Sequence, residues 1–157
     1  MTDPNTKLTP HFTVAEMTRS TSHPEIYNVP APGVVDNLTR VCQWLEKMRD
    51  KYNHLYPSAD GKDQPVKISS GYRSERLNRA VGGTKESNHL TGCAADIICK
   101  DCAQAIHYAA ILMSEFDFAH KDWDEIIIEK KFLHFWLHFA VRANCNRRKV
   151  TIIETKR

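Results

Sequence analysis

The chain has 157 residues, of which 41% are hydrophobic and 26% are charged, and its formal net charge is only +3. These values are typical of an ordinary globular protein with one core, and we expect a single domain over residues 1–157. No apolar run approaches the ~20 residues that a membrane helix needs, and the first 25 residues lack the basic start and apolar stretch of a secretory signal.

The N-terminal part of the chain is rich in proline. Five of the seven prolines lie within the first 33 residues. Because proline fixes φ and lacks an amide donor, residues 1–33 are predicted to form a mostly extended N-terminal arm. Thr13 and Glu16 fit a capping box, which predicts one short helix inside this arm. Apolar side chains at three- and four-residue spacing then predict a long helix over residues 34–53.

The middle of the chain alternates short elements with turn residues. We predict a loop over 54–64, a strand over 65–70, a brief helix over 74–81 and a strand over 93–98. Gly82 and Gly83 break the chain before a loop that runs to His89. Asp101 and Gln104 fit a second capping box, which opens another long helix. Its predicted buried stripe consists of Ile106, Ala109, Ala110 and Met113.

The last third of the chain predicts a hairpin, with strands over 124–129 and 135–141. If its turn lies between Phe132 and Leu133, Glu129 and His138 share one face of the sheet. A register slip of one residue would turn Glu129 away. A further strand is predicted over 149–153. Helices packed on a small, mostly antiparallel sheet predict an α+β domain.

One short stretch offers metal ligands. His89 and Asp96 lie seven residues apart with Gly92 between them. A continuous helix would place them two turns apart, too far to share an ion. A turn at Gly92 followed by a strand would return Asp96 to His89. A nitrogen and an oxygen ligand suit zinc, whose catalytic sites commonly use three protein ligands.

The third ligand is predicted in a different strand. His138 lies in the middle of an otherwise apolar strand, where an unpaired imidazole would be costly. Taken alone, such a histidine is more often a hydrogen-bonded core residue. Arg73 follows a predicted strand and can pair with a carboxylate or polarise a developing oxyanion. The alternative for Arg73 is a surface arginine that closes a turn.

These motifs, in this order, resemble those of the M15 zinc peptidases, specifically the M15A-like branch common in phages and prophages. Members carry Ser-Gly-Tyr-Arg-Ser, then Ser-x-His-x-x-Gly-x-Ala-x-Asp, then a Trp-x-His strand after an acidic hairpin strand. This chain shows the three motifs at residues 70–74, 87–96 and 136–138. The resemblance covers residues 10–152, nearly the whole chain.

The resemblance implies the hedgehog/DD-peptidase fold and hydrolysis of peptide bonds in peptidoglycan stems or cross-links. It implies a Zn²⁺ cofactor bound by His89, Asp96 and His138. Arg73 takes the place of the family arginine that steadies the substrate or the transition state. Ser87 is expected to orient the substrate.

The general base is the least defined part of the resemblance. In the M15A-like pattern an acid ends the strand before the last histidine, and here Glu129 fits that position. Several other M15 branches place an acid three residues before the last histidine, where this chain has Phe135. His134 and Asp124 remain alternatives for the base.

The partner that the resemblance implies is the stem peptide of peptidoglycan. We expect a monomer, with no membrane and no nucleic acid involved. A nucleic-acid binder is disfavoured because the aromatic residues lie in predicted core elements, away from the basic C-terminal tail. The family's habits indicate an endolysin that stays in the cytoplasm until release and then acts on the cell wall. The alternative is a zinc-stabilised domain that binds wall peptides without cleaving them.

Overall fold

A computed structural model of the chain describes residues 3–115 and 122–155. Its elements are, in chain order, β1 (Lys7–Thr9), β2 (Phe12–Thr13), α1 (Val14–Thr18), α2 (Pro32–Leu55), β3 (Lys67–Ser70), α3 (Glu75–Ala80), a 3-10 helix (Asn88–Thr91), β4 (Ala94–Cys99), α4 (Cys102–Ser114), β5 (Glu125–Lys131), β6 (His134–Ala140) and β7 (Lys149–Thr155). None of the helices in these ranges is both long and apolar enough to cross a membrane.

The described residues form a five-stranded sheet in the order β3-β4-β6-β5-β7, together with a separate pair of β1 and β2. Neighbouring strands of the large sheet are antiparallel, except that β7 runs parallel to β5. Helices α2 and α4 pack against each other and against this sheet. This arrangement confirms the predicted α+β class with a mostly antiparallel sheet.

Alternation along the central strands separates a core face from a polar face. Ile97 of β4 and Leu137 and Phe139 of β6 are fully buried in the core with residues of the two long helices. Because successive side chains of a strand point to opposite faces, Asp96 and His138 lie on the other face. The hydrophobic effect that packs α2 and α4 on one face therefore orients the polar side chains of the other face.

The long helix α2 is confirmed, with two more residues at each end than the predicted range of 34–53. Its first residue is Pro32, which is favoured there because the first turn of a helix needs no amide donor from it. Leu38, Val41, Leu45 and Met48 are fully buried and follow the predicted three-four spacing. Elements β3, α3, β4 and β7 also lie within two residues of their predicted bounds.

Helix α4 begins as predicted, but its buried face is not the predicted one. The Asp101 carboxylate accepts a hydrogen bond from the Gln104 amide at 2.8 Å, which confirms the N-cap. Of the predicted stripe only Ala109 is buried, whereas Ile106 and Met113 are 51% and 39% exposed and Ala110 is also exposed. The buried residues are Gln104, Ala105, Tyr108, Ala109, Ile111 and Leu112. This face buries the large Tyr108 and Leu112 side chains, and that gain outweighs exposing Ile106 and Met113.

The N-terminal arm contains more regular structure than predicted. Strands β1 and β2 pair with each other, and Thr13 and Glu16 form the predicted capping box of α1. Phe12 and Met17 are buried in the main core. The arm is therefore extended in β1 and β2, contains the one short helix that was predicted, and packs as part of the hydrophobic core.

The hairpin of β5 and β6 has the predicted register. Its two-residue turn consists of Phe132 and Leu133, and Phe132 adopts a positive φ of 56°. Ile127 pairs with His138 and Glu129 pairs with Trp136. The turn position assumed from the sequence is therefore confirmed, and Glu129 and His138 lie on the same face of the sheet.

Candidate metal centre

Strand register brings Asp96 and His138 together. In the antiparallel pair of β4 and β6, Asp96 lies directly opposite His138. Opposite residues of an antiparallel pair point to the same face, so the carboxylate and the imidazole meet. Their closest atoms, Asp96 Oδ1 and His138 Nδ1, are 2.8 Å apart. Two residues that are 42 positions apart in the chain thus become neighbours through sheet pairing alone.

His89 reaches this pair from the 3-10 helix that precedes β4. The Ser87 hydroxyl accepts a hydrogen bond from the His89 amide and caps the helix. Gly92 ends it in the left-handed region, at φ 73° and ψ 16°, which favours glycine. The chain then turns directly into β4. The predicted turn at Gly92 is confirmed, while the 3-10 helix around His89 replaces the predicted loop.

The three side chains offer their donor atoms to one point. One ligand atom from each of His89, Asp96 and His138 lies within 4.8 Å of the others. His89 Nε2 is 3.3 Å from Asp96 Oδ1, and all three residues are buried. Two imidazole nitrogens and one carboxylate oxygen are a common donor set of catalytic zinc sites. The chemistry and spacing of these donors therefore fit a divalent ion such as zinc.

Asp96 and His138 each shift the pKa of the other. Burial opposes ionisation of Asp96, but the charge of His89 and hydrogen bonds from both histidines outweigh it and lower the pKa of this carboxyl well below its usual range. Burial likewise opposes protonation of His138, but its hydrogen bond to Asp96 and nearby carboxylates raise its pKa. A metal ion must displace such ligand protons, so metal affinity in a site of this kind falls as pH falls.

Arg73 lies against the second oxygen of Asp96. Its Nη2 donates to Asp96 Oδ2 at 2.8 Å, and its Nε donates to the Ser70 hydroxyl at 2.8 Å. The Arg73 amide also donates to the carbonyl of His89 at 3.0 Å. Arg73 is therefore joined to two residues of the cluster, and its surface-turn alternative does not describe this position.

Glu129 lies in β5, the strand next to β6, on the same face of the sheet as His138. Trp136 Nε1 donates a hydrogen bond to Glu129 Oε2. Burial, followed by the negative charge of Asp96, raises the pKa of Glu129. A carboxyl with a raised pKa is a better proton acceptor near neutral pH than an ordinary surface glutamate.

A cavity of about 1000 Å³ opens beside the cluster. Its lining includes the three clustered residues, and also Arg73, Ser87, Glu129 and His134. Such a volume lies at the upper end of the ordinary range for ligand pockets. The three predicted metal ligands therefore border the same space as Arg73, Ser87 and Glu129.

The two alternative bases lie in different surroundings. Asp124 is fully buried, is absent from the cavity lining and accepts three hydrogen bonds from Arg147 and one from Asn88. Hydrogen bonds of this kind occupy the carboxylate and leave no free proton acceptor, so Asp124 is not placed to act as the base. His134, the first residue of β6, is exposed and borders the cavity.

Sequence reasoning missed two polar residues beside the cluster. Glu125 Oε2 lies 3.7 Å from His138 Nε2, and Glu125 lines the cavity. Glu125 lies four residues before Glu129 in β5, so the two side chains point to the same face of the sheet. The alternation that predicted the position of Glu129 could therefore have identified Glu125 as well. Asn88 is buried and bonds Asp124 and Arg142 through its side chain. No pattern in the sequence marks Asn88 for this role.

A family model described as Peptidase M15 matches residues 10–134 of the chain. No curated protein matches the chain significantly. The matched range contains Arg73, His89, Asp96 and Glu129, whereas His138 lies just beyond its end. Sheet pairing with Asp96 is therefore the independent observation that places His138 in the cluster.

Proposed function

The chain belongs to the Peptidase M15 family, and on that premise we propose that it is a zinc-dependent metallopeptidase that hydrolyses peptide bonds in bacterial peptidoglycan. It would act as a carboxypeptidase or an endopeptidase. The observation that carries this proposal is the convergence of His89, Asp96 and His138 beside a large cavity that also contains a carboxylate with a raised pKa.

His89, Asp96 and His138 would hold the zinc ion. When bound, zinc acts as a Lewis acid and lowers the pKa of a water ligand from ~15.7 to about 7. The hydrogen bonding of His89 supports this role. His89 Nδ1 bonds the carbonyl of Gly71 at 2.6 Å, which leaves Nε2 directed at Asp96. When a histidine binds a metal through one ring nitrogen, a hydrogen bond from the other ring nitrogen fixes its tautomer.

Glu129 is the general base in this proposal. It accepts a proton from the attacking water and later passes it to the leaving amine. Its half-buried position and its neighbour Asp96 both favour proton uptake. The bond from Trp136 fixes one carboxylate oxygen, so the other oxygen can face the cavity.

Arg73 and Ser87 complete the site. Arg73 is held by Asp96 and Ser70 at the edge of the cavity, where its guanidinium can stabilise the oxyanion that develops on the scissile carbonyl. Ser87 borders the same cavity next to His89 and orients the substrate. The substrate is a peptidoglycan stem peptide, and we propose that the chain acts as a monomer on the cell wall after release from the cytoplasm, as an endolysin does.

Digestion of peptidoglycan tests this function. Zinc-loaded protein should release new amino termini from purified peptidoglycan, and mass analysis of fragments from defined muropeptides should identify the bond that is cut. Glu129→Ala protein is the matched control, because it lacks only the proposed base. Binding of muropeptides without any new amino terminus would contradict the peptidase assignment and favour the non-catalytic wall-binding domain.

A further inference from the structure

We propose that Glu125 is a positioning residue for His138, which it orients by placing a negative charge beside Nε2 of that ring. This inference rests on the proposed function, since it takes His138 as a metal ligand. His138 directs Nδ1 towards Asp96 Oδ1, and Nε2 therefore points the other way. Glu125 Oε2 lies on that side, 3.7 Å from Nε2. This separation is an ion-pair distance and is longer than a hydrogen bond.

An imidazole that binds a metal through one nitrogen carries its proton on the other. That proton usually meets a carboxylate, a backbone carbonyl or water, and the contact fixes the ring. His89 already has such a partner in the carbonyl of Gly71. Glu125 is the carboxylate that occupies the corresponding position for His138, on the same face of β5 that carries Glu129.

Two cations hold the Glu125 carboxylate in place. Lys149 Nζ lies 3.4 Å from its Oε1, and Arg147 Nη2 lies 3.7 Å from its Oε2. Arg147 is itself fixed, because its Nε and Nη2 donate to the buried Asp124 at 3.0 Å and 2.7 Å. The Glu125 side chain is only 14% exposed. A continuous set of ionic contacts thus runs from buried Asp124 through Arg147 and Glu125 to the ring of His138.

The cations of this set belong to residues 142–149, which lie after the matched part of the chain. The segment between β6 and β7 is therefore more than a connection. It returns the chain to the parallel strand β7 and carries Arg147, while Lys149 is the first residue of β7, and both cations hold Glu125 beside His138. Two of the basic residues near the C-terminus, Arg147 and Lys149, thus have a structural role, because they contact Glu125.

Zinc affinity, measured by competition with a chromophoric chelator, tests the proposal. Outer partners of metal ligands typically contribute 10–100-fold to metal affinity. We expect Glu125→Gln to bind zinc at least about 10-fold more weakly than the wild type. Glu125→Asp keeps the charge that pairs with Lys149 and Arg147, so this variant should fold. Its shorter side chain places the carboxylate further from Nε2. We expect it to bind zinc more weakly as well.

Two control variants distinguish the positioning of His138 from a general effect of removing a negative charge. Glu154→Gln removes a strand carboxylate from its ion pair with Lys130, remote from the site, and should leave zinc affinity unchanged. Glu129→Gln removes the same charge from the same face as Glu125 and should cost less affinity than Glu125→Gln.

Zinc affinity of Glu125→Gln within twofold of the wild type would overturn the positioning role. Equal losses in Glu125→Gln and Glu129→Gln would overturn it too, because charge alone would then explain the effect. Failure of the wild-type protein to bind zinc would instead contradict the proposed function, so the two failures are distinguishable.

Discussion

At the scale of single residues, the carboxylates around the candidate metal centre have different surroundings, which suit different roles. Asp96 is held by two imidazoles and Arg73, and the pKa of its carboxyl is lowered. Glu129 receives one bond from Trp136, and its pKa is raised by burial. An ionised, fully bonded carboxylate suits a metal ligand, whereas one with a raised pKa suits a proton acceptor.

Replacement of Glu129 by alanine should separate chemistry from metal binding. General acid–base catalysis typically contributes about 10²–10⁴-fold to a rate. We therefore expect Glu129→Ala to keep one zinc per chain and to lose activity on muropeptides by a factor in that range. Metal analysis and the rate of amino-terminus release measure the two quantities. Turnover close to that of the wild type would transfer the role of base to His134.

Replacement of Asp96 by alanine should remove the metal. Asp96 contributes the only carboxylate of the cluster that the described residues form, and both imidazoles contact it. We expect purified Asp96→Ala protein to contain far less than one zinc per chain by elemental analysis. Asp50→Ala, which removes a side chain that is 73% exposed, is the control and should retain zinc. Stoichiometric zinc in the Asp96→Ala protein would refute the ligand role.

Residue chemistry was predictable where it followed from local motifs. His89, Asp96 and Gly92 lie within one short segment, and the hairpin alternation pointed to Glu129. The contacts of Asp124 and Glu125 with the cations of residues 147–149 were not predictable in this way. They depend on Arg147 and Lys149, whose positions follow from the path between β6 and β7. A sequence pattern contains no information about such a path.

At the scale of elements, Gly92 determines how His89 and Asp96 approach each other. It ends the 3-10 helix with φ at 73°. A Cβ at this position would lie 2.8 Å from Val34 Cγ1 and 2.9 Å from the Val34 carbonyl oxygen. Helix α2 therefore leaves no room for a side chain at the turn. Both the backbone conformation and the packing require glycine.

Gly92→Ala should thus weaken both folding and metal binding. A left-handed residue other than glycine costs roughly 1–2 kcal/mol, and the contact with Val34 adds to that cost. Gly82→Ala is a matched control, because Gly82 has a φ of 74° and nothing within 4 Å of an added Cβ. Urea unfolding should show a larger loss for Gly92→Ala than for Gly82→Ala. Only Gly92→Ala should bind zinc more weakly, and equal zinc affinity in both variants would contradict this account of the turn.

Elements were predicted well where periodicity was strong, and one face was predicted wrongly. Helix α2 has a clear apolar stripe, and its bounds differ from the prediction by two residues at each end. Helix α4 is apolar on several sides, so more than one stripe fits its sequence. The observed face includes Tyr108 and Leu112, while Ile106 remains exposed. Tertiary packing against α2 and the sheet decides between such faces, and the sequence pattern alone cannot.

At the scale of the whole molecule, Asp124 joins the segment that carries His89 to the segment that precedes β7. Its side chain bonds Asn88, which precedes His89, and Arg147, which precedes β7. Its carbonyl accepts from the Lys149 amide, and its amide donates to Ala140. Because Asp124 is fully buried, loss of its charge would remove the nearer of the two carboxylates that Arg147 contacts. We infer that Asp124 stabilises the sheet end around the site.

This role predicts a pH dependence of stability. Burial opposes ionisation of Asp124, but hydrogen bonds from Arg147 and Asn88 outweigh it and lower its pKa in the folded state. A carboxyl with a lowered folded pKa stabilises the protein above its unfolded pKa of about 3.9, and this stability is lost as pH falls through the folded pKa. Asp124→Asn should therefore be less stable than the wild type at pH 7, by roughly 1.5–3 kcal/mol.

Urea unfolding at several pH values measures this difference. The stability gap between wild type and Asp124→Asn should narrow as pH drops below about 4, because the wild-type carboxyl then becomes protonated. A gap that stays constant from pH 7 to pH 3 would show that the charge of Asp124 contributes nothing.

The proposed function requires that His89, Asp96 and His138 bind one zinc ion. Anomalous diffraction at the zinc absorption edge, from crystals of the zinc-loaded protein, would locate that ion. We predict a single strong peak about 2.0–2.2 Å from one donor atom of each of these three side chains. No peak between them, or a peak bound elsewhere in the molecule, would contradict the assignment.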